Sequence, residues 1–273
     1  MLKQETGLKR NTIDKYYTKK CVVEQCIETV KTYVDIFPDD LIIEPSAGNG
    51  AFIENIKLLS HHYKFYDLEP EHDEVKKQDF LELDLEQFKQ FSNIHIIGNP
   101  PFGRQSSTAI KFIKKCCLFS NSISFILPKS FKKEGMQKWF SKKFHLVYQI
   151  DLLENSFLVN ETETNVPCVF QIWVCKNENR NQTEKIIPSK FTFVKKEENP
   201  DISFRRVGVN AGKISQEINN KSSQSHYFIK FTNNNTVDKN IEILQSIKFD
   251  FNNTVGPKSI SKPELIQEFN KFL

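Results

Sequence analysis

The sequence lacks several things that would fix its class at once. No apolar run approaches the length of a membrane span, so a membrane partner is not expected. The first residues, Met1-Leu2-Lys3-Gln4-Glu5, lack the apolar core of a signal peptide, and an intracellular, soluble chain, cytoplasmic or nuclear, is the expectation. The six cysteines form no CxxC pair, and the six histidines show no ligand spacing beside them, which argues against a structural metal and for reduced thiols. The net charge is only +4, which permits nucleic-acid binding without demanding it. Glycine and alanine are sparse beside abundant asparagine and lysine, a pattern of AT-rich coding rather than of function.

What is present fits a globular protein of 273 residues, 38% hydrophobic and 26% charged: one large domain, or one domain with a modest appendage. Leu41-Ile42-Ile43-Glu44 reads as a short strand, Pro45-Ser46-Ala47-Gly48-Asn49-Gly50 as a small-residue turn, and Ala51-Phe52-Ile53 as the start of a helix. Its glycines let a backbone approach a ligand closely. The spacing is neither the dinucleotide fingerprint nor a P-loop. Glu44 at the strand end would repel a pyrophosphate but would suit a ligand with an amino-acid end.

A second strand around Lys64-Phe65-Tyr66 ends in Asp67, placed to accept from ribose hydroxyls. Asp79-Phe80 follows, able to take an adenine amino group and pack on its ring. Taken singly, each acid is better explained as solvated surface; their order is what points to a site. Next comes Ile94-His95-Ile96-Ile97, a buried strand stopped by Gly98-Asn99-Pro100-Pro101-Phe102-Gly103. Taken alone, that hexapeptide serves equally well as a turn with a core phenylalanine, in a chain with 24 of them. Helical patterns fall at 21–33, 109–117 and 136–144, with further strands at 122–128, 146–150 and 169–174. Strands alternating with helices predict a mostly parallel sheet of about seven strands with helices on both faces. Residues 176–185 have the composition of a linker. Beyond them lies a stretch of different texture, with strand patterns at 191–193 and 227–231 and helical ones at 241–247 and 263–272.

The ordered set Glu44–Gly50, Asp67, Asp79-Phe80 and Asn99-Pro100-Pro101-Phe102 resembles the S-adenosylmethionine-dependent adenine-N6 nucleic-acid methyltransferases, in the motif order called gamma. Tyr16-Tyr17-Thr18 is similar to that group's N-terminal cofactor motif. Arg205-Arg206-Val207-Gly208 with Ala211-Gly212-Lys213 resembles, more weakly, a piece of the target-recognition part of modification enzymes. The resemblance implies an α/β fold: a seven-stranded Rossmann-like methyltransferase sheet in residues 1–180, and a small α+β target-recognition appendage in residues 181–273. It implies S-adenosyl-L-methionine as cofactor, held by Tyr17, Thr18, Glu44, Pro45, Ser46, Ala47, Gly48, Gly50, Asp67, Asp79 and Phe80. It implies catalysis at Asn99, Pro100, Pro101 and Phe102, and nucleic-acid contact at Arg205, Arg206 and Lys213. The expected partner is nucleic acid, DNA favoured over RNA, with an accessory recognition subunit where the short appendage falls short of target recognition. A protein glutamine-amide methyltransferase, a cytosine-N4 enzyme and an inactive recognition subunit stay open as alternatives.

Overall fold

Strands without polar interruption belong at the centre of a parallel sheet, where both faces are covered. The computed structural model, which describes residues 15–181, 186–249, 251 and 257–273, bears this out in residues 15–181. Strand β1 (Tyr17–Thr18) leads into helix α1 (Lys20–Tyr33); β2 (Leu41–Glu44) is buried at every residue, and α2 (Ile53–Lys57) follows its turn. Then come β3 (His62–Asp67), β4 (Lys76–Lys77), the wholly buried β5 (Ile94–Gly98), α3 (Ser107–Cys116) and β6 (Ser122–Pro128). A single helical turn α4 (Glu134–Gln137), β7 (Phe144–Asp151), the hairpin β8 (Phe157–Val159) and β9 (Thr162–Thr164), and β10 (Cys168–Cys175) complete this part.

Seven of these strands form one sheet in the order β4-β3-β2-β5-β6-β10-β7. The β4–β3, β3–β2, β2–β5 and β5–β6 pairs are parallel, and β10 runs antiparallel between β6 and β7. This is a Rossmann-like sheet, mixed and mostly parallel. Helix α3 buries Ala109, Phe112, Ile113 and Cys116 with Leu41, Ile43, Ile94 and Ile96 on one face. Helix α1 buries Val23, Ile27 and Val30 and packs with α2 and β10 on the other. Strand order reverses between β2 and β5, so the turns after these two strands open beside each other. Open α/β sheets bind ligands in that crevice.

The 136–144 stretch is not the helix its pattern predicts. Arg180 explains why. Its guanidinium donates to the carbonyls of Gln137, Phe140, Ser141 and Phe144 at 2.6–3.1 Å, so these oxygens face a side chain instead of an i+4 amide. The Trp173 ring lies beneath that guanidinium at 5.3 Å and stacks on Phe140 at 4.0 Å. Within the stretch expected to be a linker, then, Arg180 is a clamp on the fold; residues 182–185 lie outside the described residues.

The described residues from 186 onward pack as a second unit. Strands β11 (Phe191–Val194), β12 (Ile202–Arg205), β13 (Ile214–Ser215) and β14 (His226–Phe231) form an antiparallel sheet in the order β11-β14-β12-β13. Helices α5 (Val237–Gln245) and α6 (Lys262–Phe272) close its core, in which Phe191, Phe204 and Phe269 meet edge to face. The unit is α+β. Helix α6 starts with a capping box between Ser261 and Glu264, a signal that fixes its first turn.

Candidate active site

The turn after β2 is built on backbone hydrogen bonds. Ala47 N–H donates to the Tyr66 carbonyl at 2.8 Å, and Gly48 N–H to Asp67 Oδ2 at 2.8 Å. Asp67 Oδ1 accepts from Glu69 N–H at 2.8 Å, so the carboxylate is fixed at the end of β3 by two amides. Gly48 adopts a left-handed φ of +50°, and a side chain there would point at the Tyr17 ring. Asp79 accepts from Leu81 N–H at 2.8 Å and so caps a short 3-10 turn that begins at Phe80. Phe80 is 1% exposed and stacks on Phe112 at 5.3 Å.

Glu44 ends β2 in full burial, and its Oε2 has no hydrogen-bond partner. Burial, and then the charge of Asp67, push its carboxyl well above the usual carboxylate range. Gly98 stands beside it: a Cβ at that position would meet Glu44 Cγ at 3.1 Å. The two strand ends are tied again where Ser46 Oγ donates to the Asn99 carbonyl at 3.1 Å.

Asn99 has a defined orientation. Its Nδ2 donates to the Tyr16 carbonyl at 3.2 Å and to Thr18 Oγ1 at 3.3 Å. A carbonyl can only accept, so the amide nitrogen must face Tyr16 and the oxygen must face away. That Oδ1 is buried and has no partner. Among the described residues the neighbouring Pro100 carbonyl accepts no hydrogen bond either. Phe102 is half-buried beside them, and its carbonyl takes the first amides of α3, those of Thr108 and Ala109. The loop between holds Gln105 and Ser106 at φ of 53° and 61°, left-handed conformations that non-glycine residues seldom adopt.

The wall opposite comes from the N-terminal segment. β1 pairs antiparallel with β8, and β8 with β9, in a small separate sheet. Tyr17 O–H donates to Glu71 Oε2 at 2.6 Å, and Lys15 bridges Glu71 and Glu69 at 2.5 and 3.2 Å. Burial and the Glu71 hydrogen bond push the Tyr17 phenol up to about 12.

These residues enclose one cavity of about 380 Å³. Tyr17, Thr18, Glu44, Pro45, Ser46, Ala47, Gly48, Asp67, Asp79, Phe80, Asn99, Pro100, Pro101 and Phe102 all line it. Gly50 does not; its φ of +80° turns the chain, and a Cβ there would strike Ile53. Sequence reasoning missed Glu71, Gln78 and Thr108, which also line the wall, and the β8–β9 hairpin that carries β1. Nothing in the run 69–74 sets Glu71 apart from its acidic neighbours. In the second unit the three basic residues diverge. Arg205 donates from Nε to the Val207 carbonyl at 2.8 Å, whereas Arg206 lines a separate cleft, which Lys213 does not reach.

Residues 53–185 match the family model of the EDM2 methyltransferase-like domain. The match covers just under half of the chain and includes Asp67, Asp79 and residues 99–102. No curated protein sequence matches the chain. Among solved structures, a protein of Pyrococcus horikoshii described as an RNA methyltransferase is 15% identical, over 62% of this chain and 92% of its own, with a TM-score of 0.44. One of Vibrio vulnificus, described as the modification subunit of a type I restriction enzyme, is 13% identical over 92% of this chain and 60% of its own, TM-score 0.43. A dimethyladenosine transferase from Plasmodium falciparum is 13% identical over 59% and 64%, TM-score 0.39. Among the described residues no helix is long and apolar enough to cross a membrane.

Proposed function

We propose that this chain transfers the methyl group of S-adenosyl-L-methionine to the exocyclic N6 amino group of adenine in nucleic acid, with DNA favoured over RNA. One observation carries the reading. Asn99 Oδ1 and the Pro100 carbonyl are adjacent acceptors without partners, on a cavity wall, beside a half-buried phenylalanine. An unpaired buried acceptor is costly unless a ligand supplies the donor. An amino group has two N–H bonds to give.

The cofactor's fit rests on the cavity itself. Glu44 Oε2 is a buried oxygen without a partner, suited to an ammonium. The Gly48 turn leaves a space bounded by the Tyr17 ring. Asp67 is oriented by two amides, suited to a diol, and Asp79 stands at the adenine end with Phe80. Bound there, the cofactor supplies an electrophilic sulfonium methyl. Glu44 and the 45–48 turn hold its amino-acid end, and Tyr17 and Thr18 close over it.

The N6 lone pair of adenine is delocalised into the ring and attacks poorly. Asn99 Oδ1 and the Pro100 carbonyl each take one N–H, which draws the nitrogen towards tetrahedral geometry and frees its lone pair. Pro101 keeps the turn rigid. Phe102 stacks on the base, which leaves its helix to enter the pocket. The gain is one of positioning and electrostatics.

The test is to incubate the protein with labelled S-adenosylmethionine and duplex DNA, single-stranded DNA, RNA or total protein. N6-methyladenine in the DNA digest, absent with Asn99→Ala, is the expected result. Label in RNA moves the substrate to RNA. Label on cytosine, on a glutamine amide or nowhere refutes the reading.

A further inference from the structure

The second unit contains a cleft of about 550 Å³ that the methyl-transfer site does not use. Its floor is aromatic: Phe193 on β11 meets Tyr227 on β14 at 5.5 Å, edge to face. Its rim is basic. Lys195 and Lys196 follow β11, Arg206 follows β12, and Lys262 opens α6; among the described residues Glu197 is the single acid lining it. These four cations form no ion pair among the described residues.

Two of the cations are aligned by the floor. Arg206 stands over the Tyr227 ring at 5.4 Å, and its Nε and Nη2 both donate to the Gln224 carbonyl, at 3.1 and 2.9 Å. That fixes the guanidinium by two bonds to one carbonyl and leaves Nη1 unspent among the described residues. Lys262 Nζ lies 4.4 Å from the Phe193 centroid and 5.8 Å from that of Tyr227. Lys196 Nζ is spent on the Asn219 carbonyl at 2.8 Å, and Lys195 stands free at the rim. Four cations stand here against Glu197 and the Glu198 carboxylate, which takes the Lys195 N–H at 2.8 Å; the excess of like charge repels itself, and a polyanion removes that repulsion. A planar guanidinium held over a tyrosine ring also offers a surface on which a base can stack.

We propose that this cleft binds an unpaired nucleotide of single-stranded nucleic acid. Arg206, Lys262 and Lys195 take the phosphates, and the base stacks on the Arg206–Tyr227 platform. The size of the cleft, within the range of small-ligand pockets, suits one nucleotide, whereas a duplex presents a broad convex surface. The proposal deepens the nucleic-acid reading above and rests on it for the polymer; the cleft's own evidence is charge and aromatic faces. It leaves Arg205 and Lys213, which the sequence grouped with Arg206, outside the contact.

The test is fluorescence anisotropy of the full chain with a labelled single strand of about 12 nucleotides, in DNA and RNA forms, against a hairpin duplex of equal length. Adenosine monophosphate and inorganic phosphate serve as competitors. The single strand should bind tighter than the duplex, and the nucleotide should compete better than phosphate. Arg206→Gln and Lys262→Gln should each weaken single-strand binding about tenfold. Each should reduce the slope of log affinity against log salt by about 0.7. Lys195→Gln, an exposed change that cannot disturb folding, should reduce that slope similarly, while Lys213→Gln should not. Unchanged binding in all three cleft variants, preference for the duplex, or competition by phosphate equal to that of the nucleotide would each overturn the proposal. Loss of methyl transfer with single-strand binding intact would sink the proposed reaction and leave the cleft standing.

Discussion

Asn99 Nδ2 donates to Thr18 Oγ1 across 3.3 Å, joining residues 81 apart in the chain. The Tyr16 carbonyl takes the same nitrogen at 3.2 Å. Together they set which way the Asn99 oxygen points. Removing the hydroxyl leaves one restraint of two. Thr18→Val should lower the methyl-transfer kcat about tenfold, and Thr18→Ser should restore it. Asn99→Ala removes an acceptor and should cost about 10² or more. Full activity in Thr18→Val would show that the amide needs only the backbone carbonyl.

Glu44 carries a pH prediction. Burial and Asp67 hold its folded pKa above the ordinary 4.5, so the folded chain binds its proton more tightly than the unfolded chain does. Its contribution to stability is therefore whole below 4.5 and is lost as pH rises through the folded value. Without ligand, Glu44→Gln should melt higher than the parent at neutral pH, and the gap should close as pH falls towards about 4. The same variant should bind S-adenosylmethionine less tightly, because a carboxyl can give up its proton and pair with an ammonium, whereas an amide cannot ionise. Melting curves of equal pH dependence would mean that Glu44 is not held protonated.

Tyr17 and Lys15 share Glu71 but should respond differently. Tyr17 is half-buried and its ring faces Gly48, so Tyr17→Phe loses a hydrogen bond on the cavity wall. Its Kd for S-adenosylmethionine should rise about 3- to 10-fold by calorimetry. Lys15 makes an exposed pair, and Lys15→Ala should leave the melting temperature unchanged. A lowered melting temperature in Lys15→Ala, or an unchanged Kd in Tyr17→Phe, would overturn the assignment.

Arg180 holds four carbonyls from residues 137 to 144 and covers Trp173. Arg180→Ala takes the side-chain donor from all four, of which Gln137 and Ser141 keep the Phe140 and Phe144 amides, and uncovers the indole. The loss should be about 2–4 kcal/mol in denaturant unfolding of the full chain. Arg180→Lys, with a point charge in place of the fork, should recover less than half of it.

The sheet was legible because its central strands are nearly unbroken apolar runs, each stopped by a turn. Glu44 and Asn99 were legible because each closes such a run, and Asp67 because an acid closes the shorter Phe65-Tyr66 pair; parallel topology gathers these strand ends at one edge. What stayed hidden has physical reasons. The Tyr16 carbonyl acts through its backbone, which leaves no mark in the residue type. Arg180 looks like any charged residue of a polar stretch, and only folding brings four carbonyls to it. The 136–144 segment has helical spacing because its one apolar face is needed, but its carbonyls find a better donor. Phe80 was visible as the neighbour of Asp79, but its burial against Phe112 was not.

The wall formed by residues 16–18 reaches the cavity from outside the seven-stranded sheet. Two residues of ladder, Tyr17 opposite Leu158 and Thr18 opposite Phe157, fasten it to a hairpin, with one further bond from Lys19 N–H to the Ser156 carbonyl. Undoing that ladder breaks a few hydrogen bonds, whereas displacing Glu44 or Asn99 would tear the central strands. A cavity so built has a door hung on a separate frame. The N-terminal wall can therefore part at the β1–β8 pairing without breaking any strand pairing of the seven-stranded sheet.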